Sequence, residues 1–377
     1  MLNKKLLIII VATLFVTQSY SQEEEFIPDY TNTQTHSIVE LKEQEFGVKP
    51  KNIILLIGDG MGVAQIFSGI TANAGMLNIN HMKHIGFSQT QSANKYITDS
   101  AAGGTAISTG QRVDNGAIAV DAQGKAIPTI LEISEQNGKA TGLVSTSAIT
   151  HATPASFIAH QTSRKMYEQI AADFLKTDID IFIGGGKNNF TKREDGKDLT
   201  KELKNKGYQV FTSIKDSENV TQAPIAIFTA DEHNPRVAER GDMLIQATNK
   251  ALEVLSTDPD GFFIMIEGSQ IDWGGHDNST PFIVTEMLDF DKAVGAALEF
   301  AAKDGETLVI VTADHETGGM AITDGSFEEK SVTGSYTTTG HTAVMVPVFS
   351  YGPGAEEFIG IYKNTEIFKK MMKMFDF

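Results

Sequence analysis

Leu308-Val309-Ile310-Val311-Thr312-Ala313-Asp314-His315 is an apolar run that ends in a carboxylate and an imidazole. Two further apolar runs end in a similar way, with Asp59 after Ile53-Ile54-Leu55-Leu56-Ile57 and Glu267 after Phe262-Phe263-Ile264-Met265-Ile266. Runs of this kind predict strands that are covered on both faces. A buried strand end has no structural use for an unpaired charge, because removing a charge from water is costly unless a cation or partner compensates it. The pattern therefore predicts a metal centre with more than one ion.

Three more candidate ligands lie near these strand ends. Asp272 and His276 follow Glu267, and His341 comes just before another predicted strand. Side chains four residues apart face the same way on a helix or in a tight turn, as chelation by a carboxylate and an imidazole requires. Capping at the protein surface is the competing interpretation of the Asp272 and His276 pair when it is considered alone.

Strand-like and helix-like segments alternate along the chain. Predicted strands cover residues 52–57, 140–145, 179–183, 225–228, 262–266, 307–312 and 347–351, and predicted helices include residues 128–137, 241–255 and 285–302. This alternation predicts an α/β fold, a three-layer sandwich with a large, mostly parallel central sheet flanked by helices. We expect one catalytic domain, residues 22–377, with short surface insertions at about residues 184–217 and 324–340. Its site should lie at the carboxyl ends of the strands.

Composition restricts the compartment and the partners. The chain has 48 acidic against 31 basic residues, a net charge of −17, which argues against nucleic acid or an anionic membrane as a partner. Lys4, Lys5, the apolar stretch 6–16 and the small residues up to Ser21 predict a cleaved secretory signal, residues 1–21. The apolar stretch is shorter than the roughly 20 residues of a membrane span. We expect a periplasmic or secreted protein, without a membrane anchor after cleavage and without disulfides, since the chain has no cysteine.

A serine and an arginine are candidates for binding an anion. The segment Thr98-Asp99-Ser100-Ala101-Ala102 places Ser100 where an alanine-rich helix begins, and a helix N-terminus offers free N–H groups to a phosphate. Helix capping by Ser100 or Asp99 is the alternative. Arg164 is one of five arginines against 26 lysines, which favours a need for the planar guanidinium that grips phosphate or carboxylate with two bonds. A solvated charge on a helix face is the competing interpretation of Arg164.

The remaining polar candidates carry weaker signals. In Gly58-Asp59-Gly60-Met61-Gly62, glycines allow a tight turn around one carboxylate, although an ordinary turn or helix cap explains the same pattern. The chain has no Gly-x-Ser-x-Gly motif, which disfavours a Ser-His-Asp hydrolase and favours activation of Ser100 by a metal ion. We interpret the other histidines as structural; they are His36, His81, His84, His160 and His233.

Six short motifs together give the chain a family resemblance. In addition to the segments around Asp59 and Ser100, they are His151-Ala152-Thr153-Pro154, Glu267-Gly268-x-x-Ile271-Asp272, Thr312-Ala313-Asp314-His315 and Thr339-Gly340-His341-Thr342. With these motifs, the chain resembles alkaline phosphatases over about residues 52–354. The resemblance implies hydrolysis of small phosphomonoesters to inorganic phosphate, through a phosphoserine formed on Ser100, by what is commonly a homodimer.

The resemblance also implies a ligand set. Asp272, His276 and His341 would hold one zinc ion, and Asp59, Asp314 and His315 would hold a second one close to Ser100. Asp59 would bridge to a third metal, usually magnesium, which Thr153 and Glu267 complete. Arg164 would grip two oxygens of the phosphate.

Two positions beside these ligands vary within the family. They are His151 and Trp273 here, and this combination resembles a smaller bacterial group. A nitrogen ligand at position 151 would favour a softer ion, so the third site is open to zinc as well as magnesium. Trp273 is the only tryptophan and directly follows a predicted ligand, so its fluorescence should report metal or phosphate binding.

Other functions make different use of the same residues. A secreted protein with a degraded phosphatase fold would bind metal or phosphate without turnover. A phosphodiesterase of the same superfamily usually lacks the equivalents of Glu267 and Arg164, so both residues favour monoesters. A sulfatase needs a cysteine or a special serine motif, and this chain has no cysteine and no such motif around Ser100.

Overall fold

The computed structural model describes residues 26–377. The predicted signal peptide, residues 1–21, lies outside the described residues. The strands are β1 (Asp29–Thr31), β2 (Asn52–Gly58), β3 (His84–Gln89), β4 (Ala140–Ala148), β5 (Ile181–Gly185), β6 (Gln209–Phe211), β7 (Ile225–Phe228), β8 (Phe262–Gly268), β9 (Thr307–Thr312), β10 (Glu316–Thr317), β11 (Ala321–Ser326), β12 (Ser331–Ser335), β13 (His341–Thr342), β14 (Val346–Tyr351) and β15 (Gly360–Lys363).

Twelve α-helices accompany these strands in residues 26–377. They are α1 (Val63–Ala72), α2 (Ser100–Thr109), α3 (Ile130–Gln136), α4 (Ala152–Ala155), α5 (Tyr167–Asp173), α6 (Lys187–Thr191), α7 (Leu199–Asn205), α8 (Val237–Arg240), α9 (Met243–Leu255), α10 (Gln270–His276), α11 (Thr280–Asp304) and α12 (Thr365–Phe375). None of the helices in this part of the chain is both long and apolar enough to cross a membrane.

The centre of the molecule is a ten-stranded sheet in the order β15-β3-β14-β9-β2-β8-β4-β5-β7-β6. Strand β14 is antiparallel to both of its neighbours, β3 and β9, and every other neighbouring pair is parallel. Nine of the ten strands therefore run in one direction. This mostly parallel sheet confirms the predicted fold class.

Helices cover both faces of the sheet because the central strands are apolar on both faces. In β2, Ile54 and Leu56 pack with residues of α1, α9 and α11 on one face, whereas Ile53 and Leu55 pack with residues of α3, α5 and α12 on the other. Every residue of β2, β8 and β9 is buried. The three-layer sandwich follows from this two-sided burial.

The segments predicted as insertions contain regular structure. Residues 184–217 include α6, α7 and β6, and β6 is an edge strand of the central sheet, paired in parallel with β7. Residues 324–340 include the second half of β11 and all of β12, and these two strands form a separate three-stranded sheet with β1.

Candidate active site

The candidate ligands lie where parallel strands end at one edge of the sheet. Asp59 comes directly after β2, Glu267 is the penultimate residue of β8, and Asp314 comes two residues after β9. The three strands are neighbours, and Ile57 at the end of β2 lies in register with Glu267 on one side and Thr312 on the other. Parallel pairing thus brings to one edge the side chains that the sequence places after separate strands.

One group of ligand atoms surrounds His315 and the serine. The His315 Nε2 atom lies 3.1 Å from an Asp314 carboxylate oxygen and 3.5 Å from one of Asp59, and all three side chains are fully buried. Ser100 Oγ lies 3.2 Å from the same nitrogen. The amide of Gly60 donates to the other Asp314 oxygen at 3.3 Å, so the glycine loop and the carboxylate hold each other in place.

A second group contains the two histidines nearest the surface. His276 Nε2 and His341 Nε2 each lie 3.4 Å from the Asp272 carboxylate and 3.2 Å from each other. The opposite nitrogen of each ring faces a backbone carbonyl, with His276 Nδ1 at 2.6 Å from Thr339 O and His341 Nδ1 at 2.9 Å from Thr98 O. When each Nδ1 donates to its carbonyl, each Nε2 presents a lone pair beside Asp272, as a metal ligand must.

A third group shares Asp59 with the first. Ligand atoms of Asp59, His151 and Glu267 lie within 4.8 Å of one another. Thr153 Oγ1 donates to Asp59 at 3.4 Å, and Ser145 Oγ donates to Glu267 at 2.6 Å. The sequence predicts ten site residues: the metal ligands, the nucleophile and the phosphate-binding arginine. All ten lie in or directly beside these groups. They are Asp59, Ser100, Thr153, Arg164, Glu267, Asp272, His276, Asp314, His315 and His341.

Several buried atoms of these groups form no hydrogen bond. They are one carboxylate oxygen each of Asp59, Glu267 and Asp314, together with Nδ1 of His151. A buried acceptor left without a partner costs about 1–3 kcal/mol, and more when it is charged. Four such atoms at one strand edge fit the presence of cations, because a divalent ion coordinated by these atoms would remove that cost.

Burial and the charges of neighbouring carboxylates raise the pKa values of the acids in these groups. Burial, and then the charges of Asp314 and Asp272, raise the pKa of Asp59 well above its ordinary value. Burial raises the pKa of Glu267 to about 7, and burial together with the charge of Asp272 raises the pKa of Asp314 to about 6. These shifts indicate a site whose negative charge needs compensation.

The histidines differ in their electrostatic surroundings. Burial, followed by the charge of His341, lowers the pKa of His315 well below its ordinary value, so this ring is neutral and able to bind a metal. The hydrogen bond with Asp272 raises the pKa of His276 to about 9. Burial opposes ionisation of Asp272, but the hydrogen bonds from His276 and His341 outweigh it and hold the pKa of that carboxyl well below its usual range.

Ser100 begins α2 but does not cap it. The Asp99 side chain accepts the hydrogen bond from Ala102 N at 3.0 Å, which makes Asp99 the cap and leaves the Ser100 hydroxyl to face His315. Asp99 also pairs with Arg164, whose Nη1 donates to it at 3.1 Å, while Arg164 Nη2 lies 3.3 Å from His151 Nε2. The arginine is therefore fixed beside the helix N-terminus and is not a solvated surface charge.

Two residues of the site carried no recognisable signal in the sequence. The Thr317 hydroxyl donates to the Asp272 carboxylate. His233, interpreted above as structural, packs edge-on against Trp273 with ring centres 4.9 Å apart and against His151 at 5.5 Å. Its Nδ1 accepts from Ala148 N at 3.0 Å. Neither residue lies in a sequence pattern whose periodicity or spacing would have indicated a place in the site.

Comparisons with known proteins agree with this geometry. The sequence profile of the alkaline phosphatase family matches residues 50–329. The chain is 36% identical to alkaline phosphatase 3 of Bacillus subtilis, over 86% of this chain and 88% of that one.

Solved structures of alkaline phosphatases share the fold. The alkaline phosphatase from the Antarctic bacterium TAB5 is 46% identical, with a TM-score of 0.83 over 87% of this chain and 99% of that one. A histidine-to-aspartate variant of the TAB5 enzyme, with magnesium bound in its M3 site, is 44% identical, with the same TM-score over 88% of this chain and 99% of that one. The profile match, the sequence identity and the shared fold extend over most of the chain, which is an enzyme of the alkaline phosphatase family.

Proposed function

We propose that this enzyme hydrolyses small phosphomonoesters through a phosphoserine at Ser100 and releases inorganic phosphate. The observation that supports this most is that unpaired buried ligand atoms converge on a serine at a helix N-terminus, with Ser100 Oγ 3.2 Å from His315 Nε2. A binding protein has no need of a free nucleophile at this position. Nucleic acid is not a specific partner of a chain with a net charge of −17.

The three ligand groups suit two zinc ions and one magnesium ion. Asp272, His276 and His341 would hold one zinc, because both imidazoles lie 3.4 Å from the Asp272 carboxylate. Asp59, Asp314 and His315 would hold the other, since carboxylate and imidazole are common zinc ligands. Asp59, Thr153 and Glu267 offer the oxygen ligands that magnesium prefers. When bound, such ions polarise the leaving oxygen and lower the pKa of a hydroxyl or water that they bind.

His151 makes the third site of this chain open to zinc. Its unpaired Nδ1 and the carboxylates of Asp59 and Glu267 form a mixed nitrogen and oxygen set, which a softer ion than magnesium also accepts. Burial, and then the charge of Arg164, lower the pKa of His151 to about 3, so the ring is neutral. The TAB5 variant that carries an aspartate in place of a histidine has magnesium bound in its M3 site.

The protein groups carry out the chemistry on the phosphorus. Ser100 Oγ forms a bond to phosphorus, and the bond from phosphorus to the ester oxygen breaks so that the alcohol leaves with a proton. Water then attacks the same phosphorus, and breakage of the Ser100 Oγ–P bond returns the hydroxyl and releases phosphate. The free N–H groups at the start of α2 and the Arg164 guanidinium bind the phosphate oxygens in both steps. Asp99 keeps that guanidinium in place.

The test compares a chromogenic phosphomonoester with the matching diester at alkaline pH. We expect turnover of the monoester that chelation abolishes and that zinc and magnesium restore. Ser100→Ala should lose turnover and its acid-trapped phosphoenzyme while its metal content stays that of the wild type, which shows that the metal site is intact. Full turnover by Ser100→Ala contradicts the mechanism. Preference for the diester would indicate a phosphodiesterase, and tight phosphate binding without turnover a binding protein.

We also propose that the enzyme is a homodimer, joined through an exposed apolar groove of about 580 Å³. Its exposed apolar side chains are Val63, Phe67, Val344 and Met345, with Phe327 in edge-to-face contact with Phe67. Because a chain with a net charge of −17 repels a second copy, we expect two copies to meet at a surface such as this one, where most of the lining side chains are uncharged.

The oligomeric state tests the apolar groove. We expect the wild type to elute as a dimer in size-exclusion chromatography with light scattering, and Phe67→Arg to elute as a monomer. A dimer that persists in Phe67→Arg would place the interface elsewhere.

We propose that residues 1–21 are a signal peptide and that residues 22–377 act as one catalytic domain in the periplasm or outside the cell. The basic start, the short apolar stretch and the small residues before Gln22 support cleavage at that point. Sequencing the amino terminus of the exported protein should give Gln22 as its first residue. Retention of Met1 in the exported protein contradicts this proposal.

A further inference from the structure

Glu316 is a buried carboxylate that the proposed mechanism does not use. It follows His315 directly and is only 4% exposed. One of its oxygens accepts hydrogen bonds from Gln65 Nε2 at 2.8 Å and Met320 N at 3.1 Å. The other accepts from Gly319 N at 3.2 Å and from the hydroxyl of Thr342. All four donors are neutral, and four hydrogen bonds are what a buried carboxylate needs in the absence of a paired cation.

These donors come from three separate segments of the chain. Gln65 lies in the first turn of α1, where its Oε1 accepts from Gly62 N at 3.1 Å. The packing is close, because a Cβ atom on Gly62 would lie 2.5 Å from Glu316 Cγ. Thr342 lies in the two-residue strand β13, opposite Glu316 in β10. Glu316 therefore ties the loop that follows Asp59 to the strand that contains His341.

Glu316 holds the segment of residues 339–342, and this segment contains or contacts both histidines of one ligand group. His341 precedes Thr342 in β13, and the carbonyl of Thr339 lies 2.6 Å from His276 Nδ1. Backbone bonds hold the rest of this segment to Gly318, whose N–H donates to Gly340 O at 2.9 Å. A shift of the segment would thus move His276 and His341 together relative to Asp272.

The other ligand group is held mainly by the central strands, and it meets this segment where the His315 and His341 rings stack with their centres 3.6 Å apart. Asp59 and Asp314 follow the central strands β2 and β9, whose residues are all buried. His315 is fixed by its place next to Asp314 and by the Asp314 carboxylate, which accepts from His315 N at 3.0 Å. Loosening β13 should therefore affect one group and spare the other.

We propose that Glu316 is a positioning residue: by binding the Thr342 hydroxyl it sets His341, and through Thr339 also His276, at the distance from Asp272 that a zinc ion requires. The inference rests on the proposed function of this site. It assigns to Glu316 a role in how tightly one of the two zinc ions is held. Glu316 itself contacts neither metal nor substrate in this role.

Two single substitutions separate the Glu316–Thr342 bond from the rest of the site. Thr342→Val removes the hydroxyl donor and keeps the side-chain shape, and Glu316→Gln places an amide where one carboxylate oxygen accepts hydrogen bonds. Thr333→Val is a matched control, because Thr333 is half-buried in β12 and its hydroxyl donates at 2.7 Å to Asp29, which is not one of the ligands. Thr342→Ser retains the hydroxyl and should behave as the wild type.

The readout is zinc binding to the metal-free protein, measured by competition with a chromophoric chelator and by metal content. In Thr342→Val and Glu316→Gln we expect the zinc held by Asp272, His276 and His341 to bind about tenfold more weakly and the other zinc to bind as in the wild type. A tenfold loss is the lower end of the effect of removing a hydrogen-bond partner of a metal ligand. The fluorescence of Trp273, which follows Asp272, should need a correspondingly higher zinc concentration to change. The double variant should bind zinc no more weakly than Glu316→Gln alone, since both remove the same bond.

The inference is wrong if Thr342→Val and Glu316→Gln bind zinc at both sites as tightly as the wild type. It is also wrong if both sites are weakened equally. A lower melting temperature of the metal-free variants with unchanged zinc binding would assign Glu316 to stability alone and also overturn it. These failures differ from failure of the proposed function, in which the wild type itself binds no zinc or does not hydrolyse the monoester.

Discussion

Replacing Gly60 with alanine tests the close packing of the loop that holds the metal ligands together. Gly60 follows Asp59 and has a φ of +72°, a conformation that favours glycine. A Cβ atom there would lie 2.7 Å from Asp272 Cα and 2.8 Å from Thr317 Oγ1. One methyl group would therefore press on the backbone of a proposed ligand and on the hydroxyl that holds its carboxylate.

The expected loss of folding stability in Gly60→Ala is the sum of two separate costs. A left-handed conformation costs a residue with a Cβ about 1–2 kcal/mol. Forcing an extra methyl group into a well-packed site costs about 1–3 kcal/mol more. We therefore expect Gly60→Ala to lower the free energy of unfolding by about 2–5 kcal/mol, the sum of the two terms. Zinc affinity should fall as well, because Asp272 must move.

Gly138→Ala is the matched control for the cost of placing a Cβ atom on a residue in the left-handed conformation. Gly138 has a φ of +77°, and nothing lies within 4 Å of the Cβ atom it would gain. We expect it to cost only about 1–2 kcal/mol and to leave zinc binding unchanged. The assay is urea unfolding of the metal-free proteins, followed by zinc competition with a chelator. If Gly60→Ala unfolds at the same urea concentration as Gly138→Ala and binds zinc like the wild type, the argument from close packing is wrong.

Three further predictions concern the half-buried acid Glu135, the third site and the phosphate contact. Burial raises the pKa of Glu135 to about 7, so the stability it contributes is present below about pH 4.5 and is lost as the pH rises through 7. Thermal unfolding of Glu135→Gln should depend less on pH between 5 and 8 than that of the wild type, and an unchanged dependence contradicts this. His151→Asp should shift the third site towards magnesium, seen as more bound magnesium after dialysis against both ions; equal magnesium content in both proteins would count against the assignment. Arg164→Lys should weaken inhibition by inorganic phosphate about 10-fold or more, because lysine lacks the planar two-bond contact. Inhibition that is unchanged in Arg164→Lys would exclude Arg164 from the phosphate site.

The buried central strands were predictable from the sequence, and the exposed ones were not. Strands β7 and β9 have the predicted bounds, residues 225–228 and 307–312, because continuous apolar runs fit only a sheet covered on both faces. The prediction omitted β3, β6 and β15, which lie at or near the edges of the sheet. Their residues are mostly half-buried or exposed, so their strand conformation depends on pairing with a neighbour that the local sequence does not reveal.

The helix cap and the aromatic contacts of the site also required the structure. The sequence left open whether Ser100 or Asp99 caps α2, and the bond from Ala102 N assigns the cap to Asp99. The same carboxylate binds Arg164, 65 residues away, which the sequence left as a possible surface charge. The contact between His233 and Trp273 depends on how two distant loops meet, and nothing near either residue indicates it.

The fold class, the family and the types of residue at the strand ends were all predictable from the sequence, because burial patterns and motifs are local properties of the chain. Which side chains meet became known only from the three-dimensional arrangement of the strands. Ser100 and His315 are 215 positions apart and Gln65 and Glu316 are 251 apart, yet each pair is in hydrogen-bonding contact. Such contacts arise when parallel strands bring their carboxyl ends to one edge of a sheet, and strand order is set by the packing of the whole domain.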